Sequence, residues 1–499
     1  MPINSTVQSQ GGWFDLAEGR ILGSLRIDGE RTELRLHDRE HFPLDDACRY
    51  ISGTLHDLQK VTLIDCHSSG PGQMFAADEK QHFYNVTPRY VLIGNRHLDP
   101  TELAVRQVSL LVDDAEALFP DHDAFGTSFE PEKHIDALAA DYETAVRRPL
   151  RRGSSPRIHF FGGETEIISV ETRIGKLSVN HRNSFGFSEH ANDFGFKNRT
   201  WLELEFAEAV SFDTSITRVT DLLRFIEIMA GRPQNLEHIT IYAPVDDQPA
   251  SLNVHWLFRP SRASYWENRR VSNIDLLINP IVDRAAFESV LRNWVEMDVK
   301  RKLPRCRSSQ LLGRQRIYDP DRLVAAANMF DLLPDDALPL KPELEADILQ
   351  AKQHTRKLFK NLPDSEEQQS ILIALRRIGN QTLQRKISHR AHIVNERISP
   401  KLQNLALIVS EAVKMRNYYV HGDKRGLDYQ KYPGMASFLT EALEFIFTSS
   451  DLIDAGWDIQ KWYLQLSTLS HPFKQLVERW ESEAGILQEA KNAAMKSSV

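Results

Sequence analysis

The sequence predicts an α+β protein of several domains, in which a β-rich, sandwich-like N-terminal region precedes an all-α helical bundle. Up to about residue 265, short runs of alternating apolar and polar residues are separated by Gly and Pro, which is typical of half-buried strands. From about Ile274 the apolar residues recur every three to four positions, which is typical of amphipathic helices. The 499 residues are enough for two or three domains, each with its own core.

The first strands form a predicted hairpin. Asp28-Gly29 lies between alternating apolar residues, and Asp-Gly is typical of a two-residue turn because both turn positions favour a positive φ. Trp13 and Phe14 are predicted to anchor the core. Repeated strands with regular turn signals predict a sandwich or a strongly bent sheet. Further strands are predicted within the ranges 50–66, 84–94, 103–112, 157–206, 238–242 and 253–258.

Helices follow the strands. The helix predicted over Thr214–Ala230 has Thr214 or Ser215 as its N-cap and ends at Gly231. We expect domain boundaries near residues 265 and 320, with a regulatory region at 1–265 (divisible at about residue 150), a helical linker at 266–320 and a helical domain at 321–499. The later helices are predicted at 287–299, 321–333, 343–359, 366–398 (one long or broken helix), 402–420, 436–453 and 473–490.

Composition excludes several classes of protein. No apolar run approaches the roughly 20 residues of a membrane helix, and the N-terminus has neither the basic start nor the apolar centre of a signal peptide. Three widely separated cysteines do not suggest a disulfide framework, so we expect a cytoplasmic protein without membrane contact. Neither a phosphate-binding GxxxxGK[ST] loop nor a GxSxG nucleophile motif occurs.

The charge is distributed unevenly. The net charge is −8, but Lys300 to Lys431 holds 25 basic and 15 acidic residues, so the remainder carries −18. Within this segment, Arg376 to Lys401 contains seven basic residues and one acid, Glu396. Such a tract is typical of a polyanion-binding site. It is equally typical of the solvated faces of long helices.

A short polar motif closes the helix predicted at Leu402–Val420. Pro400 suits the first turn of this helix and Gly422 its end. Near its end, Arg416 can hold a phosphate, Asn417 can orient it, and His421 can transfer a proton near neutral pH. Positions i and i+5 lie about 140° apart on a helix, so Arg416 and His421 do not share a face by spacing alone. The arginine must swing round, the helix end must unwind, or a second copy must supply the other group.

These groups suffice for RNA cleavage without a metal, which needs a proton acceptor, a proton donor and a cation at the phosphate. The opposing interpretation is that Arg416 and His421 are surface residues favoured by the helix dipole. Metal sites have weaker support: Cys48, Cys66 and His67 lack the paired spacing of a zinc site, and His37 and His41 lack a helical frame. We therefore expect no metal and no cofactor.

Arg416, Asn417, three intervening residues and His421 resemble the Arg-Asn-x3-His motif of HEPN ribonucleases. The order of a β-rich region with an early Gly11-Gly12-Trp13-Phe14 followed by a helical region resembles the ApeA-type HEPN anti-phage proteins. The resemblance implies a metal-independent endoribonuclease of abortive infection at 321–499. It also implies homodimers or higher homo-oligomers, a cellular RNA substrate such as tRNA, and 2′,3′-cyclic phosphate ends.

Further candidates for RNA contact are basic or aromatic residues near the motif: Tyr418, Arg385, Lys386, Arg390, Lys424 and Arg425. The N-terminal region would sense a phage-derived trigger, whose identity the sequence does not give. Two other functions remain open. One is a non-catalytic HEPN sensor or nucleic-acid-binding protein, and the other is a carbohydrate- or peptide-binding sandwich with a helical oligomerisation domain.

Overall fold

The computed structural model describes residues 8–17, 19–38, 49–76, 79–128, 130–149, 153–187, 194–246, 248–260, 270–314, 317–340, 343–398, 402–422, 427 and 431–497. It confirms the predicted order of a β-rich region followed by a helical region. The chain divides into two compact units: Met1–Val219 with Asn235–Ser261 and Asn279–Arg284, and Thr220–Gln234 with Arg262–Ile278 and Ala285–Val499. The domain boundaries expected near residues 265 and 320 stay predictions.

Fourteen strands occur among the described residues. They are β1 (Gln8–Leu16), β2 (Gly19–Ile27), β3 (Glu33–Asp38), β4 (Tyr50–Leu55), β5 (Lys60–Ala76), β6 (Glu79–Gly94), β7 (Val105–Val112), β8 (Phe125–Ser128), β9 (Ile158–Phe161), β10 (Glu166–Thr172), β11 (Gly175–Phe187), β12 (Phe194–Val210), β13 (Leu236–Tyr242) and β14 (Ser251–Trp256).

Twelve of these strands form one sheet, in which six strands close a barrel. The order β6-β3-β2-β1-β4-β5 returns to β6 because β5 also pairs with β6 along most of its length. The sheet continues from β6 through β14, β13, β7, β12 and β11 to β10, and all its pairings are antiparallel. Of the two expected forms, the structure therefore has a strongly bent sheet. A separate hairpin of β8 and β9 completes the β structure of the described residues.

The barrel core follows the two-residue period of its strands. Phe14 is fully buried in it, whereas its neighbour Trp13 is 47% exposed, so only one of the two predicted anchors serves the core. The hairpin of β2 and β3 is confirmed, but its turn is longer than predicted. Residues Gly29–Arg31 form a turn of 3-10 helix, and Asp28 has a φ of −149°, which a two-residue turn of the favoured type does not allow.

Twelve α-helices occur among the described residues. They are α1 (Ala115–Leu118), α2 (Glu132–Val146), α3 (Phe212–Ala230), α4 (Arg284–Leu312), α5 (Pro320–Asn328), α6 (Ala346–Lys360), α7 (Glu366–Arg377), α8 (Leu383–Ile398), α9 (Leu405–His421), α10 (Pro433–Asp454), α11 (Ile459–Leu464) and α12 (Pro472–Ser497). No helix among the described residues has the length and apolarity needed to cross a membrane.

Two helix boundaries differ from the predictions for local reasons. Helix α3 begins at Phe212, two residues early, because the hydroxyl of Ser211 accepts a hydrogen bond from the Thr214 amide at 3.3 Å; neither predicted cap serves. The predicted stretch 366–398 is broken into α7 and α8, and Gly379 adopts a φ of +87° in the connection. Such a conformation is available to glycine at little cost.

Buried ion pairs cross the interior of the helical unit. Arg305 of α4 donates to Asp451 of α10 at 2.8 Å, and Arg301 donates to Asp451 and Asp454 at 2.8 and 2.7 Å. Arg322 of α5 forms a two-pronged contact with Glu444 of α10, with both distances 2.8 Å. Because a buried charge that loses its partner is strongly unfavourable, these pairs specify how α4 and α5 lie against α10.

Candidate active site

The candidate site lies at the C-terminal end of α9. The helix buries an apolar face that includes Ile408, Val409 and Ala412, and it contacts α5, α8 and α10. Gly422 ends it, as predicted, with a φ of +69° and an amide that donates to the Tyr418 carbonyl at 2.9 Å. The motif is thus carried by the last two turns of a helix whose preceding turns are fixed in the core. Pro400, the predicted start, lies outside the described residues.

Arg416 connects the polar groups of the motif. Its Nη1 donates to Oδ1 of Asn417 at 3.1 Å and lies 3.4 Å from Nε2 of His421. Its Nη2 donates to Oδ1 of Asn328 at 3.1 Å. Of the three ways considered for bringing Arg416 and His421 together, the single chain uses the swing of the long arginine side chain, since α9 remains helical through His421.

This geometry has a defined hydrogen-bonding state. A guanidinium only donates, so the contact between Arg416 and His421 is a hydrogen bond when Nε2 of His421 carries no proton. Nε of Arg416 is buried and has no acceptor among the described residues. The guanidinium is half-buried, and His421 is exposed. The site can therefore present a cation and an imidazole to one phosphate from solvent.

Asn328 was missed by the sequence analysis. It is the last residue of α5 and meets Arg416 only because α5 lies against α9 in the helical unit. No motif links positions 328 and 416, which are separated by 88 residues. The only local signal is an asparagine at a helix end, which is common in proteins without any functional role.

The aromatic residues of the motif lie next to one another. The rings of Tyr418 and Tyr419 meet edge to face, with centroids 5.2 Å apart. The Tyr419 side chain is 39% exposed. Partial burial and the neighbouring Tyr418 raise the pKa of the Tyr419 phenol. The Tyr419 side chain therefore remains neutral near pH 7, and both rings can act as stacking surfaces.

The other predicted RNA-contact residues are not equivalent in the structure. Arg385 of α8 is exposed, whereas Lys386 forms an ion pair with Asp331 at 2.9 Å. Arg390 does not fit the prediction, because it is buried and bound to Ser450 at 2.9 Å and to Asp454 at 2.8 Å. It belongs to the internal ion pairs, where RNA cannot reach it. Lys424 and Arg425 lie outside the described residues.

The candidate metal ligands named from the sequence are not brought together in the described part of the chain. Within the described ranges, no group of three or more His, Cys, Asp or Glu side chains is placed to hold a metal ion. The thiol of Cys66 is buried in the barrel core. Cys48 and His41, which belong to the two alternatives weighed above, lie outside the described residues.

Two family models match the chain. The model described as ApeA N-terminal domain 1 matches residues 9–294, which is more than half of the chain, and the model described as Apea-like HEPN matches residues 324–461. The second match contains Asn328, Arg416, Asn417 and His421. Neither a curated protein nor a solved structure matches the chain. With an ApeA N-terminal domain followed by an Apea-like HEPN domain, the chain belongs to the ApeA family of HEPN-type anti-phage defence proteins.

Proposed function

We propose that this protein is a metal-independent RNA endonuclease whose active site is formed by Arg416, Asn417 and His421. The observation that carries the proposal is the placement of the Arg416 guanidinium between Asn328, Asn417 and the imidazole of His421. A cation and a titratable ring within one phosphate's reach are the groups that RNA cleavage by its own 2′-hydroxyl requires.

In this mechanism the 2′-oxygen attacks the adjacent phosphorus and the 5′-oxygen leaves, which gives a 2′,3′-cyclic phosphate and a free 5′-hydroxyl. Arg416 binds the phosphate oxygens and stabilises the added negative charge. Asn417 holds the guanidinium through Oδ1. His421 either removes the proton from the 2′-hydroxyl or donates one to the 5′-oxygen. One imidazole cannot do both in the same step, so a second group is needed.

The second group is proposed to be His421 of another copy of the chain. HEPN domains commonly form oligomers, and the end of α9 exposes apolar side chains beside the motif. Tyr419 and Val420 are 39% and 43% exposed, which is typical of residues that a partner covers. A homodimer with the two α9 ends facing each other would place two imidazoles and two guanidinium groups in one cleft.

The RNA substrate and the regulation of the nuclease are proposed from the same features. Arg385 and Tyr418 would contact the RNA beside the cleft, and a structured cellular RNA such as tRNA is the proposed substrate. The β-rich region, 1–265, would sense a phage-derived trigger and restrain the nuclease at 321–499 until infection. The non-catalytic alternative is an outcome of the test below.

The test is cleavage of total RNA and of tRNA by the purified full-length protein, with His421→Ala and Arg416→Ala as variants. We expect His421→Ala to lower the cleavage rate by about 10²–10⁴-fold, which is the usual contribution of an acid–base group. Wild-type activity should persist in EDTA, and its products should carry 2′,3′-cyclic phosphates. His392→Ala is the matched control, because His392 is an exposed histidine of α8 that pairs with Glu396 at 3.2 Å.

The same variants should be compared in cells with and without phage. Wild type and His392→Ala should protect the culture, whereas His421→Ala should not. RNA binding without cleavage in vitro, together with intact RNA in phage-infected cells that express wild type, would establish the non-catalytic function instead. Cleavage that is unchanged in His421→Ala would show that the site lies elsewhere.

A further inference from the structure

The N-terminal unit contains a large cavity that has no part in the candidate nuclease site. Its volume is about 1010 Å³, and it lies between α1, the β8–β9 hairpin and the main sheet at β11 and β12. This is the size of cavity that holds drug-sized ligands. Five phenylalanine rings contribute to its lining: Phe119, Phe125, Phe160, Phe161 and Phe196.

The rings form a packed aromatic wall around a buried polar group that includes His181. Phe125 and Phe161 stack with centroids 5.0 Å apart, and the ring of His181 meets Phe125 edge to face at 5.2 Å. His181 itself is buried. Phe160 and Phe196 remain 51% and 36% exposed, although both line the cavity. Aromatic surface of this extent is available to a ligand rather than consumed by the core.

Hydrogen bonds fix the orientation of the polar centre. A carboxylate only accepts, so Nε2 of His181 carries the proton that it shares with Asp121 at 3.1 Å. In the neutral ring Nδ1 then accepts from Nδ2 of Asn198, at 2.9 Å. This leaves Oδ1 of Asn198 as a buried acceptor without a hydrogen-bond partner among the described residues. A ligand group that pairs with this oxygen must donate a hydrogen bond.

The charges of the lining select the sign of that ligand. Glu116 and Asp121 line the cavity, and no Lys or Arg is present among its described lining residues. Burial raises the pKa of Asp121, but hydrogen bonds from His181 and from the amides of Asp123 and Ala124 outweigh it, and the resulting pKa lies below the ordinary value. Asp121 is therefore an anion near pH 7. Apart from the three histidines of the lining, an anionic ligand would meet two carboxylates and no basic side chain among the described lining residues.

We propose that this cavity binds a small organic cation, an amine or guanidine attached to an apolar or aromatic body. The body would lie against the phenylalanine rings, and the cationic N–H groups would face Glu116, Asp121 and Oδ1 of Asn198. Attraction between a cation and aromatic faces adds to this preference. The N-terminal domain thereby gains a ligand site of its own, which does not depend on the nuclease proposal.

The test is calorimetric titration of the full-length protein with ligands that share one ring and differ in charge. Tryptamine, indole-3-ethanol and indole-3-propionate form one series, and phenethylamine, 2-phenylethanol and 3-phenylpropionate form the other. We expect each amine to bind about tenfold more tightly than its alcohol, and each carboxylate to bind least. Adenosine is titrated as well, as an aromatic ligand without a positive charge. The proposal would be overturned by equal affinities within a series, by tighter binding of a carboxylate than of its amine, or by no binding of either amine. Tighter binding of adenosine than of both amines would also overturn it.

Variants locate the site without disturbing the core. Glu116→Gln changes an exposed side chain and should weaken amine binding severalfold while leaving alcohol binding unchanged. Phe160→Ala should weaken both. Phe258→Ala, at a 65% exposed phenylalanine outside the cavity, is the control and should change neither. An amine-to-alcohol affinity ratio that Glu116→Gln does not alter would refute the role of charge.

Discussion

At the scale of single residues, the arginine of the motif is held from two sides. Asn417 comes from the same helix and Asn328 from α5, and each supplies one amide oxygen to the guanidinium. Neither of these two partners is an acid, so the two contacts do not neutralise the positive charge. A half-buried guanidinium held by neutral groups is therefore prepared to receive a phosphate.

Asn328 gives a prediction that separates positioning from charge. Asn328→Ala removes the acceptor of Nη2, and we expect RNA cleavage to slow by about tenfold through kcat, because a hydrogen bond to a charged group is lost. Asn328→Asp keeps an acceptor but adds an anion about 3 Å from Arg416, so it should retain kcat better and raise KM for RNA. Steady-state cleavage kinetics give both constants.

Asn361→Ala is the matched control, because Asn361 also lies at a helix end, directly after α6, and is exposed. It should leave both constants unchanged. If Asn328→Ala cleaves RNA at the wild-type rate, the contact with Arg416 has no role in positioning.

The residue types of this site were predictable from the sequence, but its geometry was not. Local spacing placed Arg416 and His421 about 140° apart, and only the side-chain conformation brings them to 3.4 Å. Arg390 shows the opposite case. Its basic neighbours suggested a surface, yet Asp454 and Ser450, which bind it, lie about 60 residues later in the chain. Local sequence patterns do not predict contacts between residues that lie so far apart in the chain.

At the scale of elements, helix ends were the best predicted feature because one residue type determines them. Gly231 and Gly422 end α3 and α9 with φ values of +68° and +69°. The closure of the barrel was not predictable in the same way. It depends on the register of β5 against β6, which pairs Leu63 with Val91, and that register is settled by packing in the finished barrel.

The two glycines differ in their surroundings, which gives a paired prediction. A Cβ at position 422 would meet none of the described residues within 4 Å, so Gly422→Ala should cost only the strain of a positive φ, about 1 kcal/mol of unfolding free energy. A Cβ at position 231 would lie 2.5 Å from Pro472 and 2.6 Å from His471. Gly231→Ala should therefore cost about 2–4 kcal/mol, since strain and overpacking add.

Denaturant unfolding followed by circular dichroism at 222 nm measures both changes. Gly422→Asn is the control for strain, because asparagine adopts positive φ more readily than alanine, and it should lose less stability than Gly422→Ala. Equal losses for the alanine variants at positions 231 and 422 would show that the close contacts of Gly231 relax without cost.

At the scale of the whole molecule, the uneven charge of the sequence is partly an internal feature. Arg301, Arg305, Arg322 and Arg390 all count toward the excess of +10 between Lys300 and Lys431. All four are buried, and their acidic partners include Asp451, Asp454 and Glu444, which lie beyond that segment. The basic tract therefore overstates the positive charge available to RNA. Exposed cations such as Arg385 are the ones to test for it.

Burial of neutral histidines makes each unit sensitive to acid. Burial lowers the pKa of His471 in the helical unit to about 4, and burial with nearby His238 and Arg259 lowers that of His255 in the N-terminal unit to about 4. In the unfolded chain both pKa values are close to 6.5. The unfolded state therefore binds more protons below pH 6.5. The stability that the two neutral histidines contribute is complete above that pH and is lost as the pH falls toward 4.

His471 allows this loss to be measured in one unit. Its Nδ1 accepts from the amide of Phe473 at 3.1 Å, and its Nε2 lies 3.2 Å from the Ile228 carbonyl. The neutral ring with its proton on Nε2 therefore pairs with both backbone groups. A proton on Nδ1 would break the hydrogen bond from the Phe473 amide. We expect His471 to contribute about 2 kcal/mol of the stability lost between pH 7.5 and pH 5.

His471→Gln should remove this contribution to the pH dependence, even if it lowers stability at pH 7.5. Denaturant unfolding at both pH values, followed at 222 nm, provides the measurement, and His392→Gln, at an exposed histidine, should keep the wild-type pH dependence. A pH dependence that is the same in His471→Gln and wild type would show that the acid sensitivity of the helical unit arises from its carboxylates instead.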